Sequence, residues 1–302
     1  MMELSTSVSN LRHLRESDLG AYDAIYLGNL YCRRYEGNLL ERPAELREAI
    51  RLVRGQGRRA RLTTYAAVRT DALPVLRAAL AAACDAGAEA VEVHTLGLVR
   101  LAREEFPALA VHVGNFANVY TDLGAALLRD LGVARITPGY ELALDEADAV
   151  AREAGVPLEL VVHGKLPLGI SDTCLLLEHE SAWGARCPDL CQREVFLDRE
   201  DWALKSVGTG ILGGLDVCLL DHLPRLLAAG HRHFRIEALS ESPAYRAEVG
   251  RVYRAALERA LGGDPRLEPE WSATLRRHSR RGLCNGFAFG RSGIEFVDAT
   301  PR

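Results

Sequence analysis

The sequence predicts an α/β fold, a (β/α)8 TIM-like barrel, and three observations carry that prediction. Short β-branched runs alternate along the chain with Ala-, Leu- and Arg-rich stretches of helical period. Glycine recurs just after those stretches, at Gly87, Gly132, Gly155 and Gly230, each a few residues before the next apolar run. Eight such units span close to the about 250 residues that a closed barrel takes.

The strand candidates, in order, are Asp23–Gly28, Ala60–Ala67, Ala90–Thr95, Ala110–Asn115, Ala134–Pro138, Leu158–His163, Asp216–Leu220 and Phe234–Ala238. Several are continuous apolar runs, as strands covered on both faces are. Helices are expected from Pro43 to Arg54, Ala72 to Ala86, Asp122 to Leu131, Asp145 to Glu153, Pro224 to Ala229 and Pro243 to Leu261. Proline suits a first helical turn and glycine suits a stop. A doubly wound open sheet is the competing fold, but its phosphate-binding glycine pattern is missing after the first candidate strand, where Gly28-Asn29-Leu30-Tyr31-Cys32 stands.

The rhythm breaks once. Roughly fifty residues separate His163 from Asp216, far more than an ordinary βα loop. In a barrel that loop opens at the C-terminal face of the strands, where sites are built. The expected division is a barrel over 1–269, with a cysteine-bearing loop at about 165–215, and a tail over 270–302 packed on it.

Composition narrows the function. With 48% hydrophobic and 26% charged residues the chain is globular, and its net charge of -4 argues against a general nucleic-acid binder. Lysine occurs only at Lys165 and Lys205, so the remaining cationic side chains are arginine, a bias that a GC-rich genome explains. The first nineteen residues lack the apolar core of a secretory signal, and no apolar run is long enough to span a membrane. A cytoplasmic location is expected, where thiols stay reduced and seven cysteines call for a metal or redox explanation.

The long loop supplies one. Cys174 is followed after twelve residues by Cys187 and after three more by Cys191. Cys187-Pro188-Asp189-Leu190-Cys191 is a compact pair, and Cys32, just past the end of a strand on the same barrel face, is the candidate fourth ligand. Four thiolates there suit a [4Fe–4S] cluster or structural zinc, and spacing alone does not choose between them. Cys84 and Cys218 lie within a helix and a strand and are read as packing residues; Cys284 is ambiguous.

Certain stretches resemble a known family. Tyr26-Leu27-Gly28 followed by Cys32, His163-Gly164-Lys165-Leu166-Pro167-Leu168 leading to Cys174, and the spacing onward to Cys187 and Cys191 resemble the UbiV-like branch of the U32 (collagenase-like) peptidase family. Asp216-Val217-Cys218-Leu219-Leu220-Asp221-His222-Leu223-Pro224, and Phe234-Arg235-Ile236-Glu237 through Ser242-Pro243-Ala244-Tyr245, resemble the wider family. The resemblance implies that Cys32, Cys174, Cys187 and Cys191 hold a [4Fe–4S] cluster. It implies oxygen-independent hydroxylation of an aromatic or quinone-type molecule, as in ubiquinone biosynthesis, with prephenate as a proposed hydroxyl donor. It also implies a heteromeric complex with a second, UbiU-like family member. Pro138-Gly139-Tyr140-Glu141-Leu142 and Ala238-Leu239-Ser240 depart from the family's usual residues, and Lys165 stands where small residues are more usual.

The alternatives are a factor hydroxylating a tRNA or rRNA base, a peptidase, and a non-catalytic binding subunit stapled by its metal. A peptidase needs a nucleophile beside a base, and Ser171 near Asp172 is the single local candidate. The catalytic candidates are His163, Glu237, His112 and Glu141, and the substrate-binding candidates are His94, Asn115, Lys165, Arg33 and Arg235. His94, His112, Asn115, Glu141, His163 and Glu237 are polar groups at or near predicted strand C-terminal ends, where a barrel carries its site. Arg235 and Glu237 flank Ile236, and only one of the two is expected to face the barrel interior.

Overall fold

The computed structural model describes residues 2–35, 37–180, 187, 190–193, 195–200, 202–264 and 266–299. Residues 188–189, inside the expected cysteine pair, and the end of the expected tail, 300–302, lie outside them.

Seven strands run in parallel from the N-terminus: β1 (Glu3–Val8), β2 (Ala24–Leu27), β3 (Arg59–Thr63), β4 (Ala90–Val93), β5 (Ala110–Val113), β6 (Val133–Ile136) and β7 (Glu159–Ile170). An excursion then carries β8 (Phe196–Asp198), β9 (Ala203–Val207) and β10 (Gly210–Cys218). β11 (His233–Glu237) returns between β7 and β1, with Phe234 opposite Leu160 and Thr6 opposite Ile236. A single parallel bridge, Ile136 to Leu158, joins β6 to the start of β7 and closes the ring.

Helices α1 (Leu11–Glu16), α2 (Pro43–Gly55), α3 (Leu73–Ala86), α4 (Leu96–Glu105), α5 (Asp122–Asp130) and α6 (Leu144–Ala154) follow the first six strands. The short α7 (Leu175–His179) lies in the excursion. α8 (Leu223–Ala228) and α9 (Pro243–Leu261) complete the barrel, and α10 (Pro269–His278) and β12 (Leu283–Cys284) form the tail. Local chemistry sets these boundaries. α2 buries Leu46, Ala49, Ile50 and Val53, one stripe at helical spacing. The Asn10 side chain caps α1 by accepting from the His13 amide at 2.7 Å. Ser242 caps α9 through the Tyr245 amide at 3.1 Å.

The barrel is as expected, but two of its staves are not. β1 was unread, because Glu3, Ser5 and Ser7 alternate with the apolar positions of this strand and are all buried. The stretch Asp216–Leu220, expected as a barrel strand, overlaps β10, which runs antiparallel to β7 with Cys218 opposite His163. The excursion is therefore a sheet built outward from an overlong β7, and it re-enters the barrel at α8. The expectation about Arg235 and Glu237 is also corrected. Both contact inward-facing partners, since residues two apart on a strand share a face.

Two glycines are required where the site begins. Gly28 ends β2 at φ +138°, and a Cβ there would lie 2.4 Å from the Thr63 carbonyl oxygen. Gly164, where β7 starts to leave the barrel, has φ +116° and would place a Cβ 2.3 Å from the Glu237 carbonyl oxygen. Both allow a loop or strand to bend against its neighbour at the barrel mouth. No helix among the described residues is long and apolar enough to cross a membrane.

Candidate functional site

The barrel interior is filled by ions. Glu3 accepts both Arg61 Nη1 and Nη2 at 2.8 Å and Arg135 Nη1 at 2.5 Å. Arg235 Nη2 donates to Glu92 and to Glu159, each at 2.6 Å, and its guanidinium lies 3.9 Å from the centre of the Tyr26 ring. Glu159 also accepts from Ser5 Oγ at 2.6 Å and Tyr26 Oη at 2.8 Å, and Glu92 accepts from Thr63 Oγ1 at 2.7 Å. Three carboxylates and three guanidiniums thus balance out of water. Burial alone would raise the carboxyl pKa values. The Arg61 fork and Arg135 instead hold Glu3 down at about 2, and Arg235 holds Glu92 and Glu159 low. His112 Nδ1 lies 2.8 Å from Tyr26 Oη in the same network, and burial with Arg135 and Arg61 keeps its ring neutral.

Above this floor, at the strand ends, Glu237 is buried and takes the Ser7 hydroxyl at 2.7 Å and the Leu239 amide at 3.3 Å, both on Oε1. Burial raises its pKa, against the pull of Arg235. His94 is buried beside Glu92, 3.6 Å away, with its ring edge-on to Phe116. Burial lowers its pKa to about 4, and its Nδ1 has no protein partner. Phe116 packs edge-on against Tyr31, with 6.0 Å between ring centroids.

Tyr31 divides this mouth from a cavity of about 1120 Å³. Cys32 and Cys174 both line it, together with Arg33, Arg34, Arg42 and Arg69. The Cys32 loop is shaped by its neighbours. The Asn29 side chain accepts from the Tyr31 and Cys32 amides at 3.0 and 3.1 Å, and Asn38 Nδ2 donates to the Cys32 carbonyl at 3.0 Å. Cys187 forms a bridge with Tyr35 of that loop. Cys187 and Cys191 are buried in one apolar cluster with Leu30, Tyr31, Leu176, Leu177 and Leu190, and Cys174 packs on its edge. The Cys32 thiol is pushed up to about 11, first by burial and then by the neighbouring Cys187 and Cys174, against the amides of Arg34 and Tyr35. No disulfide joins the seven cysteines. Among the described residues no three His, Cys, Asp or Glu side chains are grouped for a single metal ion.

The structure therefore brings Cys32, Cys174 and Arg33 to one cavity, with Cys187 and Cys191 in the apolar cluster beside it. It sets the other candidates apart from that cavity. His94 and Glu237 are beyond Tyr31, while His112 and Arg235 are locked in the interior network. Asn115 opens the half-buried turn Asn115–Ala117 after β5. Glu141 is exposed and accepts from Tyr120 Oη at 3.2 Å. His163 turns to α9, between Tyr245 and Tyr253 at 5.9 and 5.3 Å, where burial and Lys165 lower its pKa to about 3. Lys165 pairs with Asp216 at 2.9 Å. Glu3, Arg61, Glu92, Arg135 and Glu159 went unread, although charged residues inside short parallel strands are themselves a signal of a polar barrel interior.

The alignment with known proteins agrees with the fold. A solved structure from Pseudomonas aeruginosa, described as a candidate dihydrodipicolinate synthetase, superposes with a TM-score of 0.50 at 13% identity, covering 99% of this chain and 92% of that one. The chain is 29% identical to a Helicobacter pylori protein named tRNA hydroxylation protein P, over 65% of this chain and 49% of that protein. It is 24% identical to an Escherichia coli protein named as a 23S rRNA 5-hydroxycytidine synthase, over 97% of this chain and 46% of that protein. The matches thus span about half the length of these two relatives. The sequence pattern of peptidase family U32 matches residues 10–298. With nearly its whole length inside that match, the chain belongs to peptidase family U32.

Proposed function

We propose that this chain is an iron–sulfur protein for oxygen-independent hydroxylation of an RNA base, with Cys32, Cys174, Cys187 and Cys191 holding a [4Fe–4S] cluster. The observation that carries the reading is the cavity that has Cys32 and Cys174 in its walls and four arginines around them. A four-iron cube takes one thiolate per iron, so its ligands surround it instead of converging on one point. Cys32 and Cys174 line the cavity, and Cys187 and Cys191 lie in the apolar cluster on whose edge Cys174 packs, so the four stand in neighbouring segments, as the ligands of such a cube do. When bound, the cluster would supply one-electron chemistry beside the apolar cluster of Leu30, Tyr31, Leu176, Leu177 and Leu190.

The remaining work falls to the chain's own residues. Arg33 pairs with Asp71 at 3.3 Å and Arg69 with Asp172 at 2.9 Å, both at the surface. Exposed pairs of this kind contribute little and exchange readily for phosphate. Leu30, Tyr31, Ile170 and Leu177 give the same cavity an apolar wall against which a base can lie. Glu237 lies beyond Tyr31 from this cavity, at the barrel mouth, where burial lets it keep a proton more readily than an exposed carboxyl does. Ser7 and Leu239 both donate to Oε1, so Oε2 is the atom to carry it. The family resemblance alone puts a quinone-type substrate first. The names of the two relatives and the arginine-lined cavity move the preference to RNA.

A second reading keeps the aromatic or quinone-type substrate, a prephenate-type donor and a UbiU-like partner. The apolar wall favours it. Salt dependence separates the two. Binding of tRNA or rRNA fragments to the anaerobically purified chain is expected to weaken steeply with salt. Arg34→Gln and Arg69→Gln are each expected to lower the slope of log K against log salt by about 1. Filter binding across a salt series reads this. Binding indifferent to salt and to both substitutions would remove the RNA reading and leave the quinone-type one.

A further inference from the structure

The only two lysines in the chain, Lys165 and Lys205, are both buried and both belong to one ion cluster. Lys165 stands on β7 where it leaves the barrel. Its Nζ donates to Asp216 Oδ2 on β10 at 2.9 Å and lies 3.6 Å from Glu241 Oε1. Lys205, on β9, is wholly buried; its Nζ donates to Glu241 Oε1 at 2.8 Å and to the Ser240 carbonyl at 3.4 Å. Asp216 Oδ1 also accepts from Tyr245 Oη of α9 at 3.0 Å. Two ammoniums therefore face two carboxylates. Glu241 and Tyr245 belong to the barrel, in the β11–α9 turn and on α9. Lys205 and Asp216 belong to the excursion. The cluster bolts one to the other.

The hairpin so bolted touches the cysteine site at its turn. Thr209 donates to the Tyr31 carbonyl twice, from its amide at 2.9 Å and from Oγ1 at 2.8 Å. Gly208 sits so close to the Cys32 loop that a Cβ there would lie 2.8 Å from Cys32 Cβ. The Thr209 carbonyl accepts from the Ser171 amide at 2.8 Å, three residues before Cys174. One turn thus contacts the segments that carry Cys32 and Cys174.

We propose that Lys205–Glu241 and Lys165–Asp216 are positioning pairs that hold the β9–β10 hairpin against the barrel and thereby fix Cys32 and Cys174 relative to each other. The cysteine-site reading gives this arrangement its purpose, but the arrangement itself is independent of it. The lysines fit the role by size. An ammonium is a compact point charge with three rotatable donors, whereas a guanidinium needs room for a planar fork. In a chain that otherwise uses arginine for every such charge, lysine at these two positions marks a slot that a fork does not fill. Removing one member leaves the opposite charge buried and unpaired, which the hairpin relieves by loosening.

The test uses the iron-free full chain, so it does not depend on a cofactor or on any activity. Lys205→Met and the near-isosteric Glu241→Gln are compared with the unaltered chain by hydrogen exchange and by bis-maleimide cross-linking of Cys32 to Cys174, mapped by mass spectrometry. Amides of β9 and β10 are expected to exchange about tenfold faster or more while those of β1 to β6 keep their rates. The Cys32–Cys174 cross-link is expected to fall several-fold. An unchanged cross-link and unchanged exchange in β9 and β10 would overturn the proposal. So would exchange that accelerates through the whole barrel in Glu241→Gln, which would make the cluster a support of the global fold. Loss of the iron–sulfur reading on other grounds would leave either result standing.

Discussion

Replacing Arg235 by Met is expected to destabilise the chain by about 3–5 kcal/mol, because it leaves two buried carboxylates without their shared cation. Arg235 is the one group that joins Glu92 of β4 to Glu159 of β7 across the barrel. Its guanidinium also covers the Tyr26 ring. A methionine fills part of the volume but satisfies neither acid. Arg77 makes the instructive comparison. It binds Glu105 through two 2.7 Å contacts, a better-formed fork than that of Arg235, yet it lies on the surface. Arg77→Met is expected to leave the unfolding curve unmoved. Urea unfolding followed by circular dichroism distinguishes the two. Equal midpoints for both variants would show that the interior ions carry no more weight than surface ones.

Acidification is the second large effect, and it is expected to begin well above the usual carboxylate range. His13 and His94 have pKa values lowered by burial from 6.5 to about 4, and His163 to about 3. Below pH 6.5 the unfolded chain takes up protons at these rings and the folded chain does not. Stability therefore falls as pH drops from about 6.5 towards 4, by an amount on the order of a few kcal/mol for each ring. Glu3 and Glu241, held at about 2 against a usual 4.5, act lower down. For Glu241 burial opposes the shift, and the ammoniums of Lys165 and Lys205 outweigh it. Their stabilising contribution is complete above pH 4.5 and is lost as pH falls from there towards 2. The urea midpoint should thus decline between pH 7 and 5, before these carboxylates titrate, and His163→Phe should flatten part of that slope. A midpoint constant between pH 7 and 5 would contradict the assignment of neutral buried rings.

The closed barrel was legible because its helices are punctuated by glycine and its outer strands by apolar runs. What failed was the interior. An apolar-core rule finds β3 to β6 by Leu62, Val91, Val111 and Ile136, and passes over β1, whose inward residues are Glu3, Ser5 and Ser7. The sixth candidate strand was found but not its length. β7 continues from Glu159 to Ile170, so β10 pairs beside it and imitates a barrel strand in sequence. The cysteine spacing was legible as a pattern, and the structure puts Cys32 and Cys174 on one cavity with Cys187 and Cys191 in the adjoining apolar cluster. The histidines were not legible. A ring at a strand end can face inward like His112 or turn under a helix like His163, and the register shift that precedes His163 in the β7–β11 pairing is not written in the residue pattern. Lys165 reads in sequence as a cation for substrate; the structure gives it two carboxylates instead.

Nucleoside mass spectrometry reads RNA hydroxylation by this chain without a purified complex. RNA from cells that lack this chain would be compared with RNA from cells carrying the unaltered chain or Cys32→Ser, all grown without oxygen. One nucleoside heavier by a single oxygen is expected in the presence of the unaltered chain alone. Identical nucleosides in all three would contradict it and return the arginine-lined cavity to a smaller aromatic substrate.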